Sequence, residues 1–187
     1  MNKQGELPKK LWLRLDVDNP VAYYAGPLNR LMNRIGFLTP FKPLYYLHHV
    51  KLTQELLKNY EIPRIWFFRK YTCPKSFDEP FGAHIGTPEE SEETIKLLEK
   101  RIGKFNFFTR HGYNAEIKPG RIWLKREIEE VERRYGLKDL SDYNHIVVKE
   151  YNNESLDLFN LNHILFHPCY IHTHKDVLIK ILDKATT

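Results

Sequence analysis

Residues 11–18, LWLRLDVD, alternate strictly between apolar and polar positions: Leu11, Leu13, Leu15 and Val17 fall on one side, and Trp12, Arg14, Asp16 and Asp18 on the other. A repeat of two is the signature of a strand, here with an aliphatic back and a polar front. Asn19-Pro20 stops it, because proline cannot donate to a ladder, so the two carboxylates fall at the strand's carboxyl end. Residues 20–44 carry four prolines (Pro20, Pro27, Pro40 and Pro43) among aromatics and read as an irregular excursion with a short helix around Leu28 to Ile35. From 45 to 60 the spacing of Val50, Leu52, Leu56, Leu57 and Tyr60 predicts a helix. Pro63 closes it, and IWFFRK (65–70) follows as a strand.

Thr87-Pro88-Glu89-Glu90 predicts a helix start, with Thr87 as N-cap, Pro88 at the first helical position and Glu90 reaching back in a capping box. Ile95, Leu98 and Ile102 form its buried face and Gly103 its end. Later in the chain KFNFFTR (104–110) predicts a strand, 125–135 a helix closed by Gly136, 145–151 a strand and 152–153 a turn. Strands at LDLF (156–159) and HILFHP (163–168) follow, then a last helix over 174–184. Strands alternating with helices imply a mainly parallel α/β sheet, open or closed into a barrel, with its chemistry at the carboxyl ends of the strands.

Composition narrows the class. At 187 residues and 22.4 kDa, with a mean hydropathy of −0.54, the chain suits a single domain over 1–187. Eleven Phe, 11 Tyr and 3 Trp give ample material for a core. No stretch approaches the roughly 20 apolar residues of a membrane span. Two cysteines allow at most one bridge, and the opening MNKQGELPKK has no apolar leader core, so a reducing cytoplasm is the expected compartment. The net charge of +5 is spread along the chain without a basic block, which argues against nucleic-acid binding.

Four predicted strand exits carry chemistry: Asp16 and Asp18 after the first strand, His84 before the capped helix, Arg110-His111 and His167-Pro168. Two aspartates two residues apart on a strand face the same way and repel unless a cation or a shared proton compensates. A divalent ion solves that problem, one aspartate ligating and the other remaining a base. Arg14 on the same face offers a second solution, an inward ion-pair cluster without metal. His84 and His111, with an aspartate, complete a three-ligand set of the kind catalytic zinc uses, and water held by such an ion ionises near neutral pH. His167, from another strand, could protonate a departing amine. Cys169, His172 and His174 form a weaker local cluster. His48 and His49 are adjacent on a helix and point in different directions, which argues against a joint ligand role, Cys73 has no neighbouring base in sequence, and His145 and His163 read as strand packing.

The segment LRLDVDNP resembles the first motif of the polysaccharide deacetylase (NodB-homology) family. GAHIGTPEESEETIKLLEK resembles its second motif, TRHGY its third and LFHP its last, in order from residue 11 to about 185. The resemblance implies an incomplete (β/α) barrel and a metal-dependent amide hydrolase. On it Asp16 is the catalytic base, Asp18 and His84 are metal ligands, Arg110 orients the base, and His167 is the general acid. Pro88 stands where the family has a second motif-two histidine, so the triad is incomplete unless His111 substitutes, and the chain reads as a divergent member or one that has lost activity. GLKDLSDYN (136–144) occupies the place of the fourth motif without its tryptophan, with Asp139 or Asp142 as equivalents. The expected cofactor is a divalent metal, zinc first, and the expected substrate an N-acetylated sugar or small amide. The alternative is a catalytically silent barrel that holds a carbohydrate or anionic ligand through Tyr23, Tyr24, Tyr45, Tyr46 and Arg110. A homo-oligomer that covers the barrel's gap is a further expectation.

Overall fold

The computed structural model describes residues 11–18, 46–111, 123–141, 145–148 and 161–186. The expected excursion at 20–44, the strand at 156–159, the turn at 152–153 and Asp142 lie outside the described residues. In chain order the elements are β1 (Trp12–Val17), α1 (Tyr46–Leu57), β2 (Arg64–Phe68), β3 (Phe81–Ile85), α2 (Ser91–Ile102), β4 (Phe107–Arg110) and α3 (Lys125–Tyr135). The two-residue β5 (Lys138–Asp139), β6 (His145–Val147), β7 (His163–Phe166) and α4 (Ile171–Thr186) follow.

The seven strands form one sheet in the order β5-β4-β3-β2-β1-β7-β6, and every described pairing is parallel. The sheet is curled into a half-barrel, consistent with an incomplete β/α barrel. β1 lies inside the sheet, paired with β2 and β7, and all six of its residues are buried, as a parallel strand covered on both faces requires.

The alternation read in β1 sorts the two layers. Leu13, Leu15 and Val17 join Trp66, Phe68, Ala83, Ile85, Ile164 and Phe166 in the large core, together with Val50 and Leu57 of α1, Ile95 and Leu98 of α2, and Leu178, Ile181 and Leu182 of α4. Trp12 instead belongs to a smaller cluster with Ile65, Phe67, Phe107 and Leu140. Trp12 stands opposite His163 in the register, and their rings stack with centroids 4.7 Å apart, which bears out the packing role expected of His163. Burying each large apolar side chain stabilises the fold by roughly 1.5–3 kcal/mol.

Several helix ends differ from expectation. Pro88–Glu90 is a 3-10 turn, and Thr87 makes no side-chain cap. The carboxylate of Glu90 lies 3.7 Å from Arg69 Nη2 and 3.8 Å from Lys70 Nζ. Two cations after β2 thus draw it away from the capping box, and α2 starts at Ser91. α4 starts at Ile171, three residues ahead of the expected position, entered through a 3-10 turn at Pro168–Tyr170. The end of α3 conforms: Gly136 is left-handed at φ 66°, and its N–H donates to Glu132 O at 2.9 Å.

Gly82, in β3, sits where no side chain fits, since a Cβ there would press on the carbonyl oxygen of Phe107 and lie 2.7 Å from the Phe67 ring. Gly82→Ala is expected to destabilise the protein by about 1–3 kcal/mol through overpacking, read as a lower midpoint in urea at an unchanged slope. An unchanged midpoint would show that β2, β3 and β4 are less tightly apposed than described.

Candidate metal centre

β1 places Arg14 and Asp16 on its polar side and releases Asp18 one residue past its end. Arg14 and Asp16 are 4% and 2% exposed. Arg14 grips Asp16 as a fork, Nε donating to Oδ1 at 3.0 Å and Nη2 to Oδ2 at 2.7 Å, while Nη1 donates to Leu140 O at 3.4 Å. Its guanidinium carbon lies 5.9 Å from the centroid of the Phe67 ring. Burial alone would raise the Asp16 carboxyl, but the Arg14 guanidinium, and after it His84, outweigh burial and hold it below the usual carboxylate range.

Asp18 divides its two oxygens. Oδ1 lies 2.8 Å from His84 Nε2 and 3.5 Å from His111 Nδ1, and Oδ2 lies 3.2 Å from His167 Nε2. Burial works against the charge here too. It is overcome by the imidazoles of His84, His167 and His111, in that order, which keep Asp18 well below its ordinary value. His84 Nε2 is also 3.1 Å from His111 Nδ1. β3 and β4 pair with His84 opposite Thr109, and Thr109 Oγ1 lies 2.7 Å from His84 Nδ1. The Asp16 carboxylate lies 3.8 Å from that same nitrogen.

The same burial sorts the histidines. His84 is pushed down by desolvation, only partly offset by Asp16 and Asp18, which favours neutral imidazole. For His167 desolvation pulls the same way, but the Asp18 carboxylate outweighs it and raises the ring above the usual histidine range. A neutral ring is a ligand and a protonated ring is a donor.

Two groups of donor atoms converge to within 4.8 Å among the described residues: Asp18, His84 and His111, and Asp16, Asp18 and His167. The first suits a borderline cation better, offering one carboxylate and two imidazoles with no competing positive charge inside the set. In the second, Arg14 already occupies both oxygens of Asp16. Asp18 Oδ1 supplies the test of fit: it is buried and accepts no hydrogen bond of proper geometry, despite the nearness of His84. An oxygen in that condition is stabilised by an ion placed between it and the two rings. In the tautomer whose Nδ1–H donates to Thr109 Oγ1, the His84 Nε2 lone pair faces the same point.

All six residues singled out by sequence are buried or half-buried, and five of them meet. Asp18, His84 and His111 converge, with Asp16 and His167 beside them. Arg110 directs Nε to Asp139 Oδ2 at 2.7 Å. Its backbone N–H donates to Ser141 Oγ at 2.7 Å, and that hydroxyl donates to Asp139 Oδ1 at 2.6 Å. The guanidinium that holds Asp16 is therefore Arg14's. Pro88 stands in the turn before α2, and the imidazole beside His84 is His111. Nothing in the sequence singles out Thr109. Alternation in FFTR puts it two residues after the inward Phe107, but its place opposite His84 depends on strand pairing that no local pattern reveals.

The remaining candidates separate from this centre. The donor atoms of Cys169, His172 and His174 do not gather among the described residues. His174 Nδ1 lies 2.7 Å from Thr173 Oγ1, and its ring lies against Tyr170. Cys73 is buried, and desolvation pushes its thiol up to about 11, despite Arg101 nearby. The thiolate is the nucleophile, so a thiol held this high is a poor nucleophile near neutrality. No helix among the described residues is long and apolar enough to cross a membrane.

Two measurements check this account. Removing Arg14 leaves the Asp16 charge buried without its partner, so Arg14→Met is expected to cost about 3–5 kcal/mol of stability. The double variant Arg14→Met, Asp16→Leu should recover much of that loss, and a double variant no more stable than the single one would deny the pair its role. In iodoacetamide at pH 8 the native chain should be alkylated at Cys169 but not at Cys73, with both modified after denaturation. Labelling of native Cys73 would contradict its burial.

No family model matches the chain, and no curated protein or solved structure matches it either, so the geometry of the strand exits carries the functional reading.

Proposed function

We propose that the chain is a metal-dependent hydrolase of a carbon–nitrogen amide bond, deacetylase-like, acting on an N-acetylated sugar or a small amide. The observation that carries the reading is the convergence of Asp18, His84 and His111 to within 4.8 Å, with a carboxylate on one side and an imidazole of raised pKa on the other. These three residues would hold a divalent ion, zinc by donor preference. The ion would supply Lewis-acid polarisation of an acyl oxygen and water that ionises near neutral pH.

The chain's own groups account for the proton movements. As water adds to the acyl carbon, Asp16 accepts its proton. Arg14 fixes both carboxylate oxygens of Asp16, keeping it ionised and oriented, although the same contact limits its basicity. The carbon–nitrogen bond then breaks as His167 delivers its proton to the departing amine nitrogen. His167 faces Asp18 Oδ2 while His84 and His111 face Oδ1, so the proton donor and the ligand pair lie on different sides of one carboxylate. Arg110, tied to Asp139 and Ser141, braces the strand exit from which His111 leaves.

Turnover of a panel of N-acetylated sugars and small amides by the zinc-loaded chain tests the reading. Asp18→Ala is expected to abolish turnover and to weaken zinc at this centre by more than about 100-fold, above the loss typical of an outer partner. His167→Gln should retain the zinc and lose most of kcat. Turnover undiminished in Asp18→Ala would sink the proposal. Zinc bound at Asp18 with no turnover of any amide would favour the silent, ligand-holding barrel in its place.

A further inference from the structure

Away from the strand exits, three more imidazoles meet where α1 lies against α4 and the 3-10 turn before it. His48 and His49 come from the first turn of α1 and His172 from the first turn of α4. The ring centroids of His49 and His172 are 5.0 Å apart, edge to face. Those of His48 and His49 are 5.9 Å apart, and those of His48 and His172 6.2 Å. Neighbours on one helix diverge by about 100°, so the His48-His49 dipeptide cannot gather its rings unaided. It is His172, arriving from the other helix, that lies against both. The trio runs from buried His49 through half-buried His48 to exposed His172, leaving one side open to solvent.

We propose that His48, His49 and His172 form a second metal site, distinct from the centre at Asp18, taking a nitrogen-preferring divalent ion of the zinc type. Three imidazoles on one tetrahedral ion with bonds of about 2.0–2.1 Å place their ring centroids roughly 5 Å apart, close to the spacings found here. As the rings now stand, their nitrogens do not all fall within 4.8 Å of one another. Bringing them onto one ion requires rotation about χ2, which swings the nitrogens while the ring centroid stays near the Cβ–Cγ axis, and that torsion is soft in histidine.

An ion here would fasten the start of α1 to the start of α4. The 3-10 turn Pro168–Tyr170 joins α4 directly to His167, and the rings of His167 and Tyr170 lie 6.0 Å apart. The clasp would therefore steady the arm that carries His167 without touching the reacting groups.

Zinc titration of the metal-free full chain, followed by calorimetry, tests the inference. The Asp18→Ala variant is expected to bind one zinc per chain, and adding His172→Ala to it should weaken that ion at least tenfold. His172 is exposed, so its loss leaves the core intact, and His48→Gln provides a second reading. Should Asp18→Ala fail to fold, the wild-type chain decides: one fewer zinc in His172→Ala supports the site. A folded Asp18→Ala chain that binds no zinc overturns it, as does an unchanged stoichiometry and affinity in His172→Ala. A wild-type chain with a single zinc, removed by His172→Ala and retained in Asp18→Ala, would uphold this site and refute the centre at Asp18, which keeps the two readings separable.

Discussion

Two carboxylates on one face of a buried strand cannot both stay ionised without company, and the architecture around β1 answers that constraint twice. Arg14 lies two residues before Asp16 on the same face, so the strand supplies its own counter-charge, and the fork it makes uses both oxygens of Asp16. Asp18 has no such neighbour. Its charge is met by imidazoles from three other strand exits, and each is there because the sheet brings it. The first solution is local and permanent. The second is assembled by tertiary structure and leaves an oxygen, Asp18 Oδ1, without a well-formed hydrogen bond. The difference separates a carboxylate held ionised by its own strand from one with an oxygen open to a ligand.

The electrostatics then sort the histidines by position alone. His84 and His167 approach the same carboxylate at 2.8 Å and 3.2 Å, yet burial lowers the first and Asp18 raises the second. His84 has His111 beside it on the Oδ1 side, a neighbour that disfavours its protonation. His167 stands apart from that pair, on the other oxygen. Beside one aspartate, burial thus lowers one imidazole and the carboxylate raises the other, the split that a site needing both ligands and a proton donor requires.

Much of this was legible in the chain because its carriers are local. The alternation of LWLRLDVD placed Asp16 and Asp18 at a strand end and Arg14 beside them, and the turn signals put His84, His111 and His167 at other exits. What was illegible depends on partners. Thr109 orients His84 only through the register of β3 with β4. Glu90 left its capping box because Arg69 and Lys70, some twenty positions earlier in the chain, compete for it. The arginine that the motif resemblance placed on the base, Arg110, has Asp139 across the short β5 pairing as a partner, a contact that no spacing within the chain announces. In sequence His172 groups with Cys169 and His174, whereas its ring lies against α1.

Curvature is the property on which the convergence turns. Adjacent strands are about 4.8 Å apart, so in a flat sheet β3 would stand roughly 10 Å from β1, and β4 roughly 14 Å. An aspartate and a histidine projecting in parallel from strands that far apart do not meet. Yet His84 of β3 lies 2.8 Å from Asp18, and His111, one residue past β4, lies 3.5 Å away. Only a sheet curled toward its polar face closes such gaps. The residues that permit the curl are not those that carry the chemistry: Gly82 leaves room for Phe67 and for the backbone at Phe107, while the bulky Trp66, Phe68, Phe108 and Phe166 fill the outer layer. A large side chain on the concave side at Gly82 would press β2 and β4 apart, so the smallest residue of β3 bears on how closely Asp18 approaches histidines two and three strands removed.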